Sequence, residues 1–76
     1  MVLFSGGIMT VVKIIEVMGI SKKSFEDAIE TAIKRANKTI KHVHGADILG
    51  YKVKTNEEGK IIEYRVDMKI AFELES

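Results

Sequence analysis

The 76-residue sequence has no cysteine, no proline and no tryptophan. Without cysteine there is no disulfide to staple the chain and no thiolate for a metal or a nucleophile. Without proline, chemistry that runs on an N-terminal proline amine is excluded. Charge of one sign is also missing. Twelve basic and 11 acidic residues leave a formal charge of +1, too little to draw the chain to nucleic acid or an anionic membrane. Only Lys52, Lys54 and Lys60 gather on one predicted hairpin, and Glu57, Glu58 and Glu63 offset them. No apolar run approaches the roughly 20 residues of a membrane span. With no secretory signal pattern either, a cytoplasmic location is expected, and neither a membrane nor a nucleic-acid partner. A chain this small buries only about 60% of its unfolded surface, and lacking disulfides it is expected to gain stability by self-association.

Against these absences stands one strong helical signal, SFEDAIETAIKRANKTIKHV at 24–43. Phe25, Ala28, Ile29, Ala32, Ile33, Ala36, Ile40 and Val43 recur at three- and four-residue steps, which predicts one amphipathic helix over Ser24–Val43. Ser24 and Asp27 have capping-box spacing, and Glu26 and Asp27 suit the positive end of the helix dipole. Lys41 and His42 suit its negative end. Gly45 is read as the left-handed cap beyond it.

Three stretches read as strands. Thr10–Met18 is β-branched with two largely apolar faces, Val11, Lys13, Ile15, Val17 and Val12, Ile14, Glu16, Met18. One buried face would suffice in a two-layer domain, so the second implies a subunit contact. Gly19-Ile20-Ser21 is read as the turn into the helix. Ala46–Lys54 is a second strand, with Gly50 marking a bulge or a close approach. Asn56–Gly59 is a hairpin loop, with Gly59 suited to positive φ. Ile61–Glu75 alternates strictly: Ile62, Tyr64, Val66, Met68, Ile70, Phe72 and Leu74 face one way, charged residues and Ala71 the other. The expected fold is α+β, in the order β-α-β-β, with a three-stranded antiparallel sheet wrapped around one long helix. Residues 10–76 form the expected single domain. Residues 1–9 are read as an N-terminal extension or remnant, with residues 1–8 preceding a start at Met9, or as an arm packing on a neighbouring subunit through Val2, Leu3 and Phe4.

The candidate sites are sparse. His42 and His44 could suggest zinc, but no third ligand is close in sequence, and a solvent-facing pair favoured by the helix dipole is the simpler reading. Asn56, Glu57 and Glu58 lack the spacing of an EF-hand loop. The early helix acids are capping and surface charges. Arg65, among Glu63, Asp67 and Lys69, suits ion pairing across strands as well as contact with a ligand. Tyr51 and Tyr64 are packing residues. No Ser-His-acid or comparable catalytic set can be assembled, so no catalytic residue, no metal site and no enzyme activity are expected.

Four stretches in order, VVKIIEVMGIS at 11–21, the helix at 24–43, EEGKIIEYRV at 57–66 and KIAFELE at 69–75, resemble the dodecin family. The resemblance implies a β-α-β-β fold, a hollow shell of twelve identical subunits, and storage or buffering of a flavin, riboflavin or FMN. In that family a tryptophan shortly after the helix stacks on the flavin ring, sandwiching it at a two-fold axis. Here the matching position is Gly45, and a one-residue slip would bring His44 there instead. An acidic or polar family position falls on Gly50, and the ring-edge hydrogen-bonding position falls on Arg65. The expected ligand residues are therefore His44, Gly45, Asp47 and Arg65, with Arg65 retained and the stacking platform gone. The alternative is a dodecin-fold assembly that binds no flavin and takes another small molecule or an ion.

Overall fold

The computed structural model describes residues 11–40 and 42–74. The expectations for residues 1–9, and for Thr10, Lys41 and Glu75, lie outside it. The order is β1 (Val11–Ser21), α1 (Phe25–Thr39), β2 (Val43–Thr55) and β3 (Ile61–Leu74). The sheet order is β1-β3-β2, antiparallel throughout, so the long alternating strand lies in the centre. The helix lies against one face of this sheet and touches all three strands. This is the expected β-α-β-β architecture. No helix among the described residues is long and apolar enough to cross a membrane.

The period-two pattern of β3 decides which face is buried. Val66, Met68, Ile70 and Phe72 are buried, and Ala28 of the helix meets them. Ile15 and Val17 of β1, Ile48 of β2, and Phe25, Ile29, Ala32 and Ala36 of α1 pack around that cluster. Phe25 stands edge-on to Tyr51 and Tyr64, with ring centroids 5.0 and 5.1 Å away, so both tyrosines are packing residues as expected. Ile33 is only half-buried and stays outside the group packed on the core.

Three local expectations change. Gly19-Ile20-Ser21 is no turn; it continues β1 and pairs with Val66, Arg65 and Tyr64. A Cβ at Gly19 would stand 2.5 Å from the Ala28 carbonyl oxygen and 3.2 Å from the Ala32 Cβ. The glycine therefore lets the helix backbone rest directly on the strand. Half of the capping box forms: the Asp27 N–H donates to Ser24 Oγ at 2.9 Å, while the Asp27 carboxylate accepts from Ser21 Oγ at 2.7 Å. The Ser21 hydroxyl thus clamps the end of β1 to the first turn of α1.

The helix also ends at Thr39, before Val43. β-Branched Thr39 and Ile40 weaken its last turn, and His42, not Gly45, takes the left-handed conformation, with φ 54°. Asn37 Oδ1 accepts from the Val43 N–H at 3.3 Å, and Val43 then pairs with Phe72. Val43 fell in step with the helical stripe because residue 43 follows Ile40 by three, yet it belongs to the sheet. Gly45 lies inside β2. The reading of Gly50 holds: β2 has an irregularity between Ile48 and Gly50. The hairpin loop also forms as read, with Gly59 at φ 82° and Asn56 Oδ1 accepting from the Glu58 and Lys60 N–H groups.

Gly19→Ala is expected to cost about 1–3 kcal/mol by overpacking, since the obstructing atom is backbone. Met68→Ala or Ile70→Ala should cost about 2–5 kcal/mol, and Ile33→Ala clearly less. Denaturant unfolding checks this order; equal losses at Ile33 and Ile70 would contradict the core described here.

Candidate functional site

Among the described residues nothing covers the sheet face turned away from α1. Across it Gly45 of β2 and Ile14 of β1 both lie opposite Ala71 of β3. The next row carries charge: Asp47 and Glu16 flank Lys69. Ile14, Gly45 and Ala71, with His44, Asp47 and Lys69, line an open depression of about 250 Å³. A Cβ added at Gly45 would meet nothing within 4 Å. There is room at this position for a large side chain or for a ligand.

His44 reaches this face through a register shift. Val43 pairs with Phe72 and Gly45 with Ala71, so His44 is the extra residue of a β-bulge. Bulges re-aim side chains. The imidazole Nε2 lies 3.0 Å from Glu73 Oε1, with both side chains about half exposed. An ionised carboxylate only accepts, so the hydrogen is on Nε2. His44 pairs with Glu73, and among the described residues no group of three or more potential metal-binding side chains occurs.

Arg65 sits on the same face at the other end of the sheet, opposite Lys52. It is six residues from Ala71 along β3, roughly 20 Å at about 3.3 Å per residue. Its guanidinium donates to Glu63 Oε1 from Nε at 3.1 Å and from a terminal nitrogen at 2.9 Å. That hydrogen bond holds the Glu63 carboxyl below the usual carboxylate range. Lys52 Nζ pairs with Asp67 Oδ2 at 2.9 Å. Two cations directly opposite each other are thereby each given a carboxylate of their own. The structure thus brings His44, Gly45 and Asp47 together and leaves Arg65 apart within one chain.

A second depression, about 310 Å³, lies between β1 and α1, lined by Met18, Gly19, Ile20, Ala28, Thr31 and Arg35 among others. Sequence reasoning missed it because Gly19 was placed in a turn. Thr31 and Arg35, four apart on the helix, were the available signal.

The dodecin family model matches residues 11–75. The dodecin of Thermus thermophilus is 34% identical over 65 residues, which are 86% of this chain and 93% of that protein. The calcium dodecin of Mycobacterium tuberculosis is 29% identical over 66 residues, 87% of this chain and 92% of that one. The crystal structure of an arginine-to-alanine mutant of the Thermus thermophilus dodecin superposes with a TM-score of 0.82 at 32% identity, covering 90% of this chain and all of that one. Matching order of elements, near-complete coverage and shared fold lead to one conclusion: this chain belongs to the dodecin family.

Proposed function

We propose that the protein is a small-ligand carrier of the dodecin type, working in the cytoplasm as a closed assembly of its own copies, and that it binds a flat ligand of the flavin class around Gly45. The observation that carries this is the Gly45 depression. Its floor is flat because Gly45 has no side chain and Ala71 only a methyl, and Ile14 adds an apolar flank. At about 250 Å³ it falls below the roughly 300–1,000 Å³ of a complete small-molecule site. One chain therefore supplies one wall, and a second chain supplies the other. This also gives Arg65 a part, since a neighbouring subunit can bring it to a ligand that its own chain cannot.

Self-association is supported by surface left uncovered. Val12, Ile14, Met18 and Ile20, interrupted only by Glu16, line the free face of β1, each between 43% and 58% exposed. An edge strand with such a row is buried by a partner or is prone to aggregate. In solution the protein should have a mass about twelve times that of its 8.5 kDa chain. Light scattering or sedimentation checks this, and a stable monomer at micromolar concentration would contradict it.

Stacking on an aromatic ring adds about 0.5–1.5 kcal/mol per pair beyond burial. Two subunits that both gain a tryptophan should bind flavin about five- to a hundredfold more tightly. Gly45→Trp is expected to tighten riboflavin and FMN binding by that factor, read by quenching of flavin fluorescence; no gain would count against this site. The competing occupant is a cation, suggested by the calcium dodecin relative. Titration of the same preparation with Ca²⁺ separates the two, because only a cation reading predicts saturable heat without flavin.

A further inference from the structure

At the hairpin end of the sheet Arg65 lies directly opposite Lys52. Like charges so placed repel, yet each has its own carboxylate. Lys52 Nζ lies 2.9 Å from Asp67 Oδ2, and Arg65 is held by Glu63, two residues earlier on the same strand. The hold is on one side of the guanidinium. Glu63 Oε1 accepts from Arg65 Nε at 3.1 Å and from Nη2 at 2.9 Å. The end of the group, where a hydrogen on Nη1 and the second one on Nη2 run parallel, is left to donate elsewhere. Both side chains are partly exposed, so that end can be reached. Glu63 also faces Lys54 of β2, and Lys22 lies nearby beyond the end of β1. The hydrogen bond from Arg65 and the charges of Arg65, Lys54 and Lys22 lower its carboxyl despite some desolvation, so it is ionised at neutral pH.

We propose that Glu63 is the positioning residue for Arg65: by gripping one side of the guanidinium it fixes the direction of the free end, which meets the carbonyl edge of a planar ligand bound at a neighbouring subunit. The inference rests on the small-ligand reading above and adds the residue that orients its polar contact. A long side chain that is already held before the ligand arrives loses less freedom on binding than one that is not. The Arg65–Glu63 and Lys52–Asp67 pairs each carry no net charge. What Arg65 recognises here is therefore the direction of a hydrogen-bond acceptor and not the charge of an anion.

The test measures riboflavin binding by the full-length, assembled protein, both native and Gly45→Trp, from flavin fluorescence. Arg65→Ala should weaken binding about tenfold or more, the range for a lost hydrogen bond from a charged group. Glu63→Ala should weaken it about two- to tenfold, because Arg65 remains but must now be ordered by the ligand. Glu63→Gln should stay within about twofold of its parent, since the amide oxygen accepts from the same two nitrogens. In the Arg65→Ala background Glu63→Ala should change nothing further. A merely structural role for Glu63 would weaken both backgrounds alike. Both side chains are partly exposed, so these variants are expected to fold, and particle mass checks that they assemble. Unchanged affinity in Glu63→Ala, or equal losses from it with and without Arg65, would overturn the proposal. So would tighter binding in Glu63→Gln, which would mean that Glu63 screens Arg65 and does not position it. If riboflavin binds and Arg65→Ala leaves its affinity unchanged, the small-ligand reading stands and the role of Glu63 falls. If neither the native protein nor Gly45→Trp binds riboflavin, the small-ligand reading falls and the role of Glu63 falls with it.

Discussion

A helix rises about 1.5 Å per residue and a strand about 3.3 Å. The fifteen residues of α1 therefore span about 22 Å, while the fourteen of β3 span about 46 Å. One helix of this length covers about half of the central strand. Where it lies, Val66, Met68, Ile70 and Phe72 are buried; beyond it, Val53, Ile61 and Ile62 are exposed. Among the described residues nothing covers the face of the sheet away from the helix. This mismatch in length is the constraint on which the rest depends. It leaves the outward apolar residues of β1, the projecting hairpin and the Gly45 depression without a partner among the described residues.

The helix that does the covering is held by two contacts at the end of β1. Gly19 lets backbone meet backbone, and Ser21 reaches Asp27 in the first turn. Close packing at this point fixes the helix against β1 more than against the other strands. One depression lies beside Gly19 at this end of β1; the other lies on the free face around Gly45, towards the start of the strand at Ile14.

The second region of consequence is the start of β2. His42 turns the chain in the left-handed region, Val43 drops into the core, and the bulge sets His44 and Gly45 together on the free face. Four consecutive residues thus perform four different tasks, and a helical period drawn through them describes none of these. The aromatic position that the family resemblance implies would fall in this bulge, where a one-residue slip exchanges a histidine for a glycine. The geometry places both residues in the same depression.

The sequence by itself determined the elements whose signal is local and repeated. The alternation of β3 needs only that successive side chains point to opposite faces, and the stripe of α1 needs only 3.6 residues per turn. The Ser24 cap and the Gly59 turn are likewise decided within a few residues. The ordered set of such signals was enough to suggest the family. Tertiary structure alone decided the rest. Whether Gly19 was a turn or a strand residue depended on the helix backbone 2.5 Å from where its Cβ would lie. Whether Val43 closed the helix or opened a strand depended on Phe72, a residue far along the chain. His44 and Glu73 are 29 residues apart, and no periodicity links them. Only the pairing of β2 with β3 brings them together, because register is set by what the whole sheet buries and not by the residues on either side of a bulge.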